Sequence, residues 1–317
     1  MTEASHPVAS RGPRVWALWA ASRPSQVALV VLVYALGLGM AAAGGPPVAG
    51  RVDVLAAESL RAALLGGAAL VPVTVAVHYA NEYADVETDR LTDPTPFSGG
   101  SGALVVTGLS RSFLRSATAL TVVVALLAIA GAALGGLPVD AVALLALGLL
   151  GGLAYSLPPV AFVRRGVGEP VNATLGAVVL PLYGVSVVGT PTLAAAVVLL
   201  PFALVTGCNL LATHWPDRRA DAAVGKRTLV VRWSPTGVRR AYAALAVAAA
   251  LVVAVLALRG VLPMAVALAH LGAAPFLLWG GLTLTRQRSP LPAVLAMVVL
   301  VAATTAAWWW VGPLGGL

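Results

Sequence analysis

Nine runs of mainly apolar residues, each near the ~20-residue length that an α-helix needs to cross about 30 Å of hydrocarbon, constrain this chain more than any other feature. They fall at roughly 24–43, 60–80, 114–134, 138–156, 171–188, 191–213, 240–258, 262–283 and 291–312. The breaks between them carry turn residues or charge: Gly44-Gly45-Pro46-Pro47, Gly135-Gly136-Leu137-Pro138, Pro158-Pro159, Gly189-Thr190-Pro191 and Ser289-Pro290. Apolar residues make up 59% of the chain and charged ones 10%, against about 25% charged in a soluble domain, so lipid is the solvent such surfaces require. The prediction is an all-α integral membrane protein, with a short mobile cytoplasmic tail over 1–22 and a single nine-helix membrane domain over 23–317.

Charge placement orients it. The net charge is +8, but the basic residues sit in short runs between apolar segments and build no basic-aromatic surface, which excludes nucleic acid as a partner. With the N-terminus in the cytoplasm, 17 of the 20 Lys and Arg fall in the tail and in the loops after runs two, four, six and eight. Only Arg51, Arg61 and Arg259 fall outside, and this asymmetry predicts N-terminus in and C-terminus out, in the cell membrane. Trp308-Trp309-Trp310 then belongs to an outer aromatic belt, and Asp140 to the outer interface. Arg11 and Arg14 precede no compact apolar stretch with a small-residue cleavage site, so no cleavable leader is expected. The single cysteine, Cys208, allows neither a disulfide framework nor a thiolate metal site.

Acidic residues break the pattern. Seven of the twelve Asp and Glu gather in two cytoplasmic clusters: Glu82, Asp85, Glu87, Asp89 and Asp93 after run two, and Asp217 and Asp221 after run six. If the second helix continues past its apolar part, Asn81, Asp85 and Asp89 lie at i, i+4 and i+8 on one face, and Asp217 and Asp221 repeat the spacing. Carboxylates so placed repel one another, by a few tenths of a kcal/mol per pair in water and by more near a membrane. A divalent cation relieves that repulsion, and Mg²⁺ typically takes one or two carboxylates together with substrate phosphates. Two such walls on one membrane side suit a Mg²⁺-bridged diphosphate, with active-site loops at about 81–112 and 214–240. The blander alternative is a pair of solvated helix ends whose carboxylates pair with Arg90, Arg218 and Arg219. Lys226 and Arg227, after Gly225, are cations suited to a departing diphosphate, and the Gly/Ser stretch from Pro96 to Gly102 has backbone N–H groups to offer phosphate oxygens.

With these residues in view, the chain resembles the UbiA superfamily of intramembrane prenyltransferases. Asn81-Glu82-Tyr83-Ala84-Asp85-Val86-Glu87-Thr88-Asp89 is similar to the family's NDxxDxxxD pattern, with Glu82 in an Asp-or-Glu slot, and Asp217-Arg218-Arg219-Ala220-Asp221 followed by Gly225-Lys226-Arg227-Thr228 is similar to its second aspartate element. The stretch Tyr155-Ser156-Leu157-Pro158-Pro159 with Arg164, Arg165, Gly168 and Glu169 is similar to the family's segment after its fourth helix, and Arg23-Pro24 to the family's residues before its first. The resemblance implies nine helices around a central cavity, capped by helical cytoplasmic loops. It implies Asn81, Asp85, Asp89, Asp217 and Asp221 as holders of Mg²⁺ diphosphate, Lys226, Arg164 and Arg23 as diphosphate contacts, and Tyr155 and Ser156 at the cavity roof. It implies transfer of a prenyl group from an allylic diphosphate to an aromatic, quinone-precursor-like or other lipid-soluble acceptor. Menaquinone-type members commonly carry an Asn just before the second aspartate pair; here Asn209 is farther back and Thr213 and His214 stand nearer, so the resemblance does not specify a naphthoate acceptor.

Several polar residues keep two readings. His214, three positions before Asp217, could accept a proton from the acceptor or pair with a carboxylate or the backbone. Glu169, Asn172 and His78 either serve the site or bond neighbouring helices. Two other functions compete with transfer. A membrane terpene cyclase would share the ionisation step and dispense with the acceptor. An ion-coupled transporter would place its carboxylates near the midplane on broken helices within inverted repeats, which the sequence does not show.

Overall fold

The second apolar run is also the longest helix, and it sets the frame. In the computed structural model, which describes residues 12–93, 95 and 97–314, that helix spans Ala57–Leu91. Arg11, Pro96 and residues 315–317 lie outside the described residues. Between residues 73 and 91 there is no Gly or Pro, so nothing halts the helix where its side chains turn polar; it stops at Thr92 and Asp93, just before Pro94. The acidic residues therefore ride on a continuous rod that projects from the apolar zone.

In chain order the helices are α1 Pro13–Ala21, α2 Pro24–Ala43, α3 Ala57–Leu91, α4 Ala103–Thr107, α5 Arg111–Leu134, α6 Val139–Ser156, α7 Gly168–Val188 and α8 Leu193–His214. There follow α9 Arg218–Ala223, α10 Leu229–Arg232, α11 Pro235–Leu258, α12 Met264–Thr283 and α13 Leu291–Trp309. Among the described residues nine helical segments are long and apolar enough to cross a membrane, one for each predicted run. The protein is an all-α integral membrane protein.

Lipid tails are as apolar as leucine, so helix association here relies on close packing more than on the hydrophobic effect. Helix α2 packs against α7 and α13, α3 against α5 and α6, and α8 against α11 and α13. Gly37 and Gly184 show how: a Cβ at Gly37 would run into the Pro181 carbonyl, and one at Gly184 into the Tyr34 carbonyl. Only glycines let α2 and α7 approach this closely. Tyr34 and Tyr183 pack ring to ring at 5.5 Å beside that crossing, their hydroxyls donating to the carbonyls of Ala63 and Gly66.

Two expectations change. Residues 13–21 of the presumed mobile tail form a docked helix: Ala17, Ala20 and Ala21 are buried against Val86, Leu104 and Leu114, while Val15 and Trp19 face outward. Small side chains on one face let α1 lie flat, and Tyr79 and His78 on α3 donate to the carbonyls of Leu18 and Ser22 at 2.9 and 2.7 Å. His78 thus bonds helix to helix. The tryptophan triplet is also no uniform belt: Trp308 is buried, Trp309 Nε1 donates to the Ala35 carbonyl at 2.9 Å, and only Trp310 is exposed. Adjacent helical residues are ~100° apart, so three consecutive side chains cannot share one environment.

Candidate active site

The two acidic elements meet at one end of the bundle. Asp85 Oδ1 and Asp221 Oδ1 both contact the Lys226 ammonium, at 2.7 and 3.4 Å. Asp85 Oδ2 accepts from Asn81 Nδ2 at 3.1 Å, and the same amide group donates to Ser156 Oγ at 3.3 Å, tying α3 to the end of α6. Asn81 and Asp85 therefore share the face that their i, i+4 spacing dictates. Among the described residues Arg90, Arg218 and Arg219 form no ion pair with these carboxylates, and Arg218 instead stacks on the Trp215 ring at 3.7 Å. The solvated-ends alternative does not describe this arrangement.

A loop of three successive residues binds both walls. Gly99 N donates to Asp217 Oδ2 at 3.3 Å, Gly100 lies against the Asp89 carboxylate, and Ser101 donates to Glu82 through its N (3.0 Å) and Oγ (2.6 Å). Gly100 has φ 71°, in the left-handed region, and a Cβ there would overlap Asp89, so the position requires glycine twice over. The sequence suggested that this loop offers its N–H groups to phosphate; in the structure those of Gly99 and Ser101 serve carboxylates.

Glu82 is the residue that sequence reasoning undervalued. It is 3% exposed and accepts, besides Ser101, Nε and Nη2 of Arg23 at 2.7 and 2.5 Å. Arg23 joins α1 to α2 with φ 51°, a left-handed conformation that costs a non-glycine residue on the order of 1 kcal/mol or more. The ion pair holds it there. Arg23, expected to contact diphosphate, has its guanidinium committed to Glu82, and Arg164, expected likewise, donates Nη1 to the Val224 carbonyl at 3.0 Å. Both brace the site in this structure.

Beneath the second wall a buried glutamate anchors α10. Glu169 Oε1 accepts from Leu229 N at 2.7 Å and from His214 Nδ1 at 3.2 Å, so His214 pairs with a carboxylate and keeps Nε2 without a hydrogen bond among the described residues. Tyr155 reaches Asn172 and lies in the field of Asp85, Glu169 and Asp221. Nothing in the sequence pairs Glu169 with position 229, because the bond ends on a backbone N–H that any residue but proline supplies.

The electrostatics are those of a site short of positive charge. Burial, and then the neighbouring Asp221, push Asp217 up to about 6, and burial raises Asp221 above the usual carboxylate range. Burial alone disfavours the Lys226 ammonium, but Asp85 and Asp221 outweigh it and hold it protonated beyond the ordinary lysine value. Asp217 Oδ1 is buried without a hydrogen-bond partner. Among the described residues no three His, Cys, Asp or Glu converge as a ready metal site. The donors fit a hard cation that draws part of its shell from a bound anion, as Mg²⁺ with a phosphate does, better than a cation caged by protein alone. Beside Asp89 a hollow of about 10 Å³ lies between Glu82, Val86 and Gly102 to Val105, room for about one water.

Fold and site together define a polytopic helical membrane protein whose aspartate elements face each other across a buried lysine at one end of the bundle. A model of the UbiA prenyltransferase family matches residues 30–301, and the chain belongs to that family. Solved structures carry the same fold. A UbiA homologue from Archaeoglobus fulgidus bound to DMAPP and Mg²⁺ is similar at TM-score 0.62 and 16% identity, over 92% of this chain and 98% of that one. A UbiA homologue from Aeropyrum pernix K1 without ligand is similar at 0.62 and 18%, over 87% and 96%. A digeranylgeranylglyceryl phosphate synthase is similar at 0.61 and 13%, over 93% and 99%. No curated protein sequence matches significantly. The family makes this a prenyltransferase-type enzyme of the membrane.

Proposed function

We propose that the protein is a Mg²⁺-dependent prenyltransferase, moving the prenyl group of an allylic diphosphate to an aromatic, quinone-precursor-like or other lipid-soluble acceptor at the cytoplasmic face. One observation carries this reading: carboxylates more than a hundred residues apart in sequence converge on a single ammonium, with Asp85 and Asp221 as its partners. The A. fulgidus homologue is described as bound to DMAPP and Mg²⁺ in one structure and to GPP and Mg²⁺ in another, which supports the same ligands here. The distribution of 17 of 20 basic residues supports the cytoplasmic orientation.

Asn81, Asp85 and Asp89 on α3, with Asp217 and Asp221 beyond α8, would hold the metal and its diphosphate. Bound Mg²⁺ supplies charge neutralisation to the departing diphosphate. The Lys226 ammonium adds to that neutralisation from the protein side. Tyr155 and Ser156, at the end of α6 where Ser156 bonds Asn81, would exclude water from the reacting carbon. His214, its Nδ1 held by Glu169, presents Nε2 as the group that takes up the proton the acceptor loses when the new bond forms.

The test is turnover in membranes supplied with a prenyl diphosphate and a panel of quinone precursors. Asp85→Asn and Asp217→Asn should each lower transfer by about a hundredfold or more, in the range of removing a principal electrostatic contact, while expression persists. Undiminished transfer in both variants would overturn the assignment, and hydrocarbon formed without acceptor would move the chain to the cyclases.

A further inference from the structure

Lys226 occupies the place where the proposed function needs a metal. Its Nζ lies 2.7 Å from Asp85 and 3.4 Å from Asp221, and its side chain is 5% exposed. The backbone around it is fixed: Gly225 turns the chain at φ 76°, Lys226 N donates to the Asp221 carbonyl at 2.9 Å, and Leu229 N is held by Glu169. What remains free to move is the four-carbon arm, whose ammonium is a compact point charge with three rotatable donors. The acidic walls are thus already neutralised in part by a cation covalently attached to the protein.

We propose that Lys226 is a displaceable counter-ion that bars free divalent cations from the aspartate site, so that metal and diphosphate are accepted only together. A lone Mg²⁺ approaching Asp85 and Asp221 meets a buried ammonium between them. To bind, it must either share the space with that charge or drive it out with no anion to receive it, and both are unfavourable at low dielectric. A metal arriving with diphosphate brings the anion along. The ammonium leaves the carboxylates for phosphate oxygens, the metal takes its place, and every charge keeps a partner. The unpartnered Asp217 Oδ1 offers the incoming metal an oxygen that Lys226 does not occupy. This barrier rests on the proposed function for the place of the metal and for the identity of the anion.

The experiment is Mn²⁺ binding to the full chain purified in detergent, followed by electron paramagnetic resonance, with Mn²⁺ alone and with Mn²⁺ plus inorganic pyrophosphate. Wild type should bind Mn²⁺ alone weakly and at least tenfold more tightly with pyrophosphate. Lys226→Met should bind Mn²⁺ alone at least tenfold more tightly than wild type, a difference of about 1.4 kcal/mol. Lys226→Arg, which keeps the charge, should stay weak. Equal affinity of wild type and Lys226→Met for Mn²⁺ alone overturns the inference, as does a gain in Lys226→Arg matching that in Lys226→Met. Wild type decides the matter even if Lys226→Met does not fold, because tight binding of Mn²⁺ without pyrophosphate contradicts a barrier. A wild type that ignores pyrophosphate while Lys226→Met gains affinity for Mn²⁺ would sink the diphosphate reading and leave the lysine barrier standing.

Discussion

The two aspartate walls have the same i, i+4 spacing and opposite mechanical support. The first stands on α3, a helix running unbroken from Ala57 to Leu91; Asp85 is held by Asn81 and by Lys226, which also reaches Asp221 of the second, and the adjacent Glu82 is held by Arg23 and Ser101. The second is a six-residue helix, α9, set in a loop. Asp217 occupies its N-cap position without making a capping bond, accepts a single 3.3 Å bond from Gly99, and leaves Oδ1 unpartnered. A short helix gains little from propagation, so α9 holds its place through bonds from outside it. The difference teaches that one wall is held from several sides and the other by few bonds, and under the proposed function the second is the wall that a bound metal and diphosphate would complete.

Removing the brace of the rigid wall should have the largest effect. Glu82→Ala leaves the Arg23 guanidinium without its carboxylate at the α1–α2 junction; breaking a fully buried pair on one side typically costs about 3–5 kcal/mol, and with Arg23 21% exposed the loss here should fall at the lower end of that range. Thermal unfolding in detergent should show a markedly lowered midpoint, with α1 the first segment to exchange its amide hydrogens. A midpoint like that of wild type would mean that the first wall needs no brace, and the contrast between the walls would go.

An intermediate effect belongs to the loop that joins them. Gly100→Ala forces a side chain into the Asp89 carboxylate at a left-handed φ, which should cost about 1–3 kcal/mol and shift the loop. Because Gly99 and Ser101 bond Asp217 and Glu82, the shift reaches both walls, and pyrophosphate-dependent Mn²⁺ binding should weaken by roughly the same free energy. Unaltered metal binding would show that the loop does not couple them.

How much of this is legible in the sequence depends on range. Apolar run length is a local property, and all nine spans are readable from it; α3 is also readable to Leu91, since its polar continuation contains no breaker. The faces of Asn81, Asp85 and Asp89 come from helical period. Partner choice does not, because it depends on how separate helices dock. Lys226 reads as a basic residue in a cytoplasmic loop, yet it is a buried counter-ion to carboxylates on two elements. Glu82 reads as a slot in a motif, and its neighbour Arg23 lies fifty-nine positions away. The helix Pro13–Ala21 escapes sequence reading because nine residues with Pro13 at the start and Ser22 at the end carry too weak a period to distinguish helix from tail.

The smallest predicted effect separates the walls most cleanly. Arg164 Nη1 donates to the Val224 carbonyl at 3.0 Å, a charge-assisted bond from the segment after α6 to the chain just beyond α9, and among the described residues it forms no hydrogen bond or ion pair with α3. Bonds of this kind contribute about 1.5–3 kcal/mol where fully buried and less where water can replace them, as at this half-buried arginine. Arg164→Met keeps most of the aliphatic stem and removes the donor, so about 1 kcal/mol should be lost, and lost locally. Amide hydrogen exchange should quicken about fivefold over residues 217–232 and stay unchanged over 73–91, because 1 kcal/mol changes an opening equilibrium by about that factor. Equal acceleration of both segments would show that the walls open as one unit; none in either would show that Glu169 and Gly99 suffice to hold the second.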